Sequence, residues 1–179
     1  MWMSVNLSAR QLAQPDLVTQ VRRLLADCGL PPELLVLELT ESLLMQDTEA
    51  TIAKLHDLKS VGVRLAIDDF GTGYSSLSYL RRFPVDILKV GKSFIDGLVG
   101  KPGDGALAEA IINLGHTLQL STVAEGVATE QQASKLRALA CRYAQGFYFF
   151  QPLPPEAVED ALAKPLTLPW PRSAATAGD

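Results

Sequence analysis

A chain of 179 residues, 47% hydrophobic and 20% charged, has the composition of one soluble globular domain with enough apolar material for a single core, and not that of a disordered chain. Its formal charge of −4 argues against a basic face that grips duplex DNA. No apolar run approaches the roughly eighteen residues of a membrane span. Cys28 and Cys141 have no C-x-x-C spacing and no secretory leader before them, so they read as reduced thiols of a cytoplasmic domain, which a larger membrane-attached protein could still carry.

In chain order, the first apolar run is Met3 to Val5, closed by Asn6. Asp16 to Cys28 places Leu17, Val21, Leu24 and Leu25 at helical spacing and stops at Gly29 before Pro31-Pro32. A strand over 34–39 follows. Asp47 is a candidate N-cap for a helix carrying Ile52, Leu55 and Leu58, with Gly62 after its last turn and a strand over 63–67 beyond. The pattern predicts a short helix from Ser75 to Arg82, a strand over 85–90, a polar stretch around Gly103 and a helix through Leu107, Ile111, Ile112 and Leu114. Ser121 to Ala124 reads as a strand. Thr129 with Gln132 three residues on makes a capping box for a helix to Ala140. Gln145 to Phe150 is the last apolar run, and a helix over 155–164 closes the domain at about residue 167. Residues 168–179 read as a disordered tail.

Strands alternating with helices at this spacing imply right-handed crossovers and a parallel sheet, either open or a barrel with six of eight β/α units. The polar residues at the strand ends are Asn6, Glu38, Asp68 with Asp69, Lys89, Glu125 and Gln145, with Glu41 just beyond Glu38. Ligands of such sheets collect at the carboxyl ends of the strands. Five carboxylates gathered against one lysine raise each other's pKa unless a cation neutralises them, and hard oxygen donors suit Mg2+, Mn2+ or Ca2+. Isolated, Asp68-Asp69 could be a turn pair and Glu41 a helix-dipole acid. His56 and His116 lie in helical patterns without ligand spacing. Tyr74, Tyr79, Phe147, Tyr148 and Phe149 read as core or pocket-lining aromatics.

The strings SVNLSARQL, LELTES, IDDFGTGYSSLSYLRRFPVDILKV, VAEGV and QGFYFFQPLP resemble, in order and spacing, motifs of the EAL domain, the bacterial phosphodiesterases that hydrolyse cyclic-di-GMP to linear pGpG. The resemblance covers residues 3 to about 165. It implies an α/β fold, a TIM-like barrel of which about six units are present, with two divalent cations, Mg2+ or Mn2+, at the carboxyl face. Carried over by position, it makes Asn6, Glu38, Asp68, Asp69 and Glu125 metal ligands. It gives Glu41 the anchoring of the loop after the aspartates and Lys89 the holding of attacking water or a phosphate oxygen. Gln145 becomes a polar contact in the same shell, and Gln145, Ser8 and Arg10 become contacts to cyclic-di-GMP. The resemblance also allows for upstream sensor or GGDEF-type domains.

The chain departs from the pattern. The segment that names the family, with its metal-binding glutamate, is expected upstream of residue 3, and Met1-Trp2-Met3-Ser4 enters a strand without a cap, as if mid-fold. Gly91 stands where the family has Asp two residues after the lysine, and Ala128 where it has a second acid after Glu125-Gly126-Val127. Each lost polar group at a preorganised centre slows reaction by roughly a hundredfold or more. The expectation is therefore a chain that hydrolyses cyclic-di-GMP poorly or not at all, the alternative being a degenerate module that binds the dinucleotide or a protein partner. Strand edges near Val5 and Phe147 left without partners would favour a homodimer or looser association. A barrel glycosidase fits the acids but not Asn6, Lys89 and the double Asp together.

Overall fold

The computed structural model describes residues 2–44, 49–71, 80–100 and 103–163. Asp47, Gly73, Tyr74, Tyr79, most of the expected helix at 75–82 and the tail from 168 lie outside the described residues. Six parallel strands form one sheet in sequence order: β1 (Met3–Asn6), β2 (Leu35–Thr40), β3 (Arg64–Phe70), β4 (Ile87–Val90), β5 (Ser121–Ala124) and β6 (Tyr143–Ala144). Helices α1 (Ala9–Leu12), α2 (Leu17–Cys28), α3 (Glu41–Leu44), α4 (Glu49–Val61), α5 (Lys92–Gly97), α6 (Ala106–Thr117), α7 (Glu130–Ala138) and α8 (Pro155–Ala163) fall between or after them. The sheet curls: the Trp2 ring ahead of one edge strand meets Tyr143 of the other edge at 4.6 Å between centroids. The fold is an incomplete (β/α) barrel.

Strand periodicity divides the side chains between two layers. Leu37, Leu39, Leu65, Ile67, Leu88, Val90 and Ala124 pack outward into one large core with the helices. Val36, Ala66, Ile87 and Val123 alternate with them and form a smaller inner cluster with Trp2 and Tyr143. Continuing that inner face by two residues gives Glu38, Asp68, Lys89 and Glu125. The concave side is thus apolar at the amino ends of the strands and charged at the carboxyl ends.

Local chemistry sets several element ends. Gly29 closes α2 in the left-handed region at φ 62, where its N–H bonds the carbonyl of Ala26 and glycine carries no Cβ penalty. Thr129 and Gln132 form the expected capping box of α7, and Ser8 with Gln11 forms a second one on α1 that the sequence pattern had passed over. Two expectations need correction. The sixth strand is Tyr143–Ala144, ahead of Gln145, and 145–150 is irregular: Phe149 and Phe150 return their N–H groups to Gly146, a turn that ends ladder pairing. Phe147 is 64% exposed and lines no core, whereas Tyr148 and Phe149 pack against it.

Candidate functional site at the carboxyl rim

Four strands deliver the charged groups. Glu38 lies within the buried run of β2 and is only 7% exposed; Lys89, on β4, is 5% exposed. The Lys89 ammonium donates to Glu38 Oε2 at 2.6 Å and pairs with Asp68 Oδ1 and Glu125 Oε1, each at 2.7 Å. An ammonium has three N–H donors, and here three carboxylates from three other strand ends surround it. Glu125 Oε1 also accepts from Gln145 Nε2 at 2.7 Å. Gln145 is set beside it because its own N–H continues the β5–β6 ladder to Ala124.

Asp68 and Asp69 reach the rim together through a backbone irregularity. β3 pairs with β4 at Ile67↔Leu88 and again at Phe70↔Val90, so two aspartates oppose Lys89 alone. Asp69 takes φ +52 to allow it, a left-handed conformation rare outside glycine, asparagine and aspartate. In a regular strand consecutive side chains point to opposite faces, so a flat β3 would have sent one aspartate away from the concave side.

Asn6 ends β1 in register with Glu38 and is exposed. Ser8 and Arg10 lie just beyond it, also exposed. The Ser8 hydroxyl is engaged in capping, accepting from the Gln11 N–H at 3.3 Å and donating to Gln11 Oε1 at 2.7 Å. Glu41 opens α3 and is 5% exposed, with its Oε2 accepting from the N–H of Gly71 at 2.8 Å. It stands outside the Lys89 cluster and ties β3's exit to α3. Gly91 follows β4 on the same alternation as Ile87 and Lys89, buried, with φ −58 and ψ 148. That conformation is open to any L-residue. Ala128 is exposed, and its N–H donates to Gln132.

Burial works against the charge on Lys89, but its contacts with Asp68, Glu125 and Glu38 outweigh it and hold the ammonium well above the usual lysine range. Burial pushes the Glu125 carboxyl up; Lys89 pulls it down, and Asp68 and Asp69 push it up again. The rim thus holds more negative than positive charge, all of it on hard oxygen donors. Among the described residues no three His, Cys, Asp or Glu side chains stand grouped as a metal cage, since the ammonium sits at the meeting point. The donor set nevertheless fits divalent cations of the Mg2+ and Mn2+ kind. What sequence reasoning missed was the lysine's central place: its position on a strand end was legible, its three partners were not.

The chain matches the EAL domain family over residues 1–152. It is 46% identical over 160 residues, 89% of its length, to the bifunctional diguanylate cyclase/cyclic di-GMP phosphodiesterase MucR of Pseudomonas aeruginosa. It spans 23% of MucR, and 23% and 20% of two other curated relatives that it matches. The solved MucR phosphodiesterase in complex with c-di-GMP superimposes with TM-score 0.83 over 88% of this chain and 64% of that one. The EAL domain of Mycobacterium smegmatis DcpA, 42% identical, gives TM-score 0.86 over 91% of this chain and 73% of its own. Klebsiella pneumoniae BlrP1, solved with manganese and cyclic-di-GMP, is 32% identical with TM-score 0.78, covering 84% of this chain and 39% of that one.

Proposed function

The chain belongs to the EAL domain family, and from that premise we propose that its carboxyl rim binds cyclic-di-GMP through divalent cations, with hydrolysis to pGpG strongly reduced in these 179 residues. The single observation that carries the reading is the convergence of Glu38, Asp68 and Glu125 on one point at the ends of three strands. A scaffold gains no stability from buried like charges brought together. In this reading Asn6, Glu38, Asp68, Asp69 and Glu125 hold two cations, Mg2+ or Mn2+. Cations held there would supply the positive charge a bridging phosphodiester needs and acidify water.

The protein's own part is to place and orient. Before metal enters, Lys89 and Gln145 fix the Glu125 carboxylate from two directions. Glu41 holds the backbone at Gly71, where β3 leaves the rim. Ser8 and Arg10, exposed at the start of α1, contact the dinucleotide. Gly91 accounts for weak turnover: it lies on the inner face next to Lys89 and brings hydrogen where relatives of the resembled pattern bring a carboxylate that assists water. The site works in the cytoplasm, where both thiols stay reduced, and upstream sensor or GGDEF-type domains regulate it.

The alternative, a module that binds without hydrolysis, is favoured by the same Gly91 and by Ala128, and one experiment separates them. Calorimetry with cyclic-di-GMP, with Mn2+ and with EDTA, is expected to show binding only with metal. Chromatography of the product is expected to show turnover at least roughly tenfold faster in Gly91→Asp than in the parent chain. Binding indifferent to Mn2+ would refute the metal site, and a Gly91→Asp chain that binds without turning over would leave the binding module.

A further inference from the structure

The ammonium of Lys89 stands at the one point where Glu38, Asp68 and Glu125 meet, each within 2.7 Å. We infer that Lys89 is the resident cation of this site: in the metal-free protein it holds the three carboxylates together, and a divalent cation binds by displacing it from their oxygens. The inference rests on the reading of these acids as a cation site and adds a second task to a residue otherwise expected to serve the reaction.

The physical case is a matter of charge in a poorly solvated place. Glu38 and Lys89 are both buried, and Asp68 and Glu125 are partly so. Three carboxylates so placed repel one another, and water is too remote to screen them fully. One ammonium offers each a short contact, a hydrogen bond to Glu38 and ion pairs to Asp68 and Glu125. A divalent cation would seek the same oxygens, and it cannot enter the point at which the ammonium already touches all three. Metal and lysine therefore compete, and the lysine must swing aside as metal enters. A lysine that only steadied a reactant would leave the metal-free fold indifferent to its removal.

The test compares the full 179-residue chain with Lys89→Met and Lys89→Arg, melted in EDTA and again across a MnCl2 series, with Mn2+ affinity read by calorimetry. In EDTA, Lys89→Met is expected to melt roughly 5 °C or more below the parent, and Lys89→Arg between them. Mn2+ is expected to raise the melting temperature of Lys89→Met by more than that of the parent and to bind it roughly tenfold more tightly, because the competing charge is gone. Should Lys89→Met fail to fold in EDTA, recovery of its circular dichroism on adding Mn2+ carries the same conclusion. A double variant, Lys89→Met with Glu125→Gln, is expected to regain part of the lost metal-free stability. Equal melting of Lys89→Met and the parent in EDTA, or Mn2+ bound no more tightly by the variant, overturns the inference. Lys89→Met destabilised in EDTA while Mn2+ shifts neither protein overturns displacement together with the metal reading, and leaves the lysine as a permanent counter-ion.

Discussion

The Glu41 carboxylate accepts the N–H of Gly71, and that bond sits where the chain leaves β3 for the rim. Gly71 has φ +95, and a Cβ there would lie 2.8 Å from Ile111 Cδ1, so the position is held from both sides. Removing the acceptor from a buried pair costs about 1–3 kcal/mol. Glu41→Ala is therefore expected to lower urea stability by about that amount, with Glu41→Gln, which keeps an acceptor oxygen, losing less. The thiols give a second residue-level outcome. Cys28 is exposed and Cys141 buried. Burial pushes the Cys141 thiol above its ordinary value of 9.0, against the opposing hydrogen bonds with Thr122, Tyr143 and Ala124. A raised pKa means the fold favours the neutral thiol, so its stabilising share is complete below 9.0 and is lost as pH climbs through the higher folded value. Two measurements check this: a thiol reagent at pH about 8 should label Cys28 quickly and Cys141 only after unfolding, and Cys141→Ala should lose less stability than the parent between about pH 9 and 11.

At the scale of elements, the rim depends on how strands and helices are tied at the opposite end of the sheet. Asp86, just ahead of β4, accepts from Lys59 of α4 through both oxygens at 2.8 Å and from the N–H of Leu65 in β3 at 2.8 Å. One half-exposed carboxylate thus locks a helix and two strands into register. Asp86→Ala should lower stability by about 1–2 kcal/mol, and Asp86→Asn, which keeps an acceptor for Leu65, by less; chemical denaturation reads both. The β3 irregularity belongs to the same scale. Its two-against-one pairing gives the rim both aspartates, and Asp69 bears the backbone strain.

The whole molecule leaves its two edge strands unequal. Among the described residues β1 pairs with β2 alone, all four of its residues are exposed, and Met3 and Val5 are 60% and 44% exposed. Beneath it runs an apolar groove of about 340 Å³ lined by Val5, Leu7, Val21, Leu24, Leu25 and Leu37 among others. An unprotected parallel edge above an apolar groove invites pairing with another chain. Sedimentation velocity of the 179-residue chain is expected to show association that grows with concentration, and Val5→Lys to reduce it. A single monomeric species across that range would contradict the expectation. No helix of the described residues is long and apolar enough to cross a membrane.

Much of this was legible in the residues themselves. Helix ends depend on side chains and backbone groups three or four residues apart, so Gly29 and the Thr129–Gln132 box could be read directly. Strand ends were legible because a polar residue interrupts or closes each apolar run near its carboxyl end, which picked out Glu38, Asp68, Lys89 and Glu125. The last strand was misplaced because Gly146 to Phe150 is as apolar as a strand, while only pairing with Val123 and Ala124 distinguishes Tyr143–Ala144. The meeting of Glu38, Asp68 and Glu125 on Lys89 was likewise a tertiary decision. It requires four strands in fixed register, a doubled residue in β3 and a curled sheet, and these arise from contacts between residues as far apart in sequence as Trp2 and Tyr143, which no local pattern of side chains encodes.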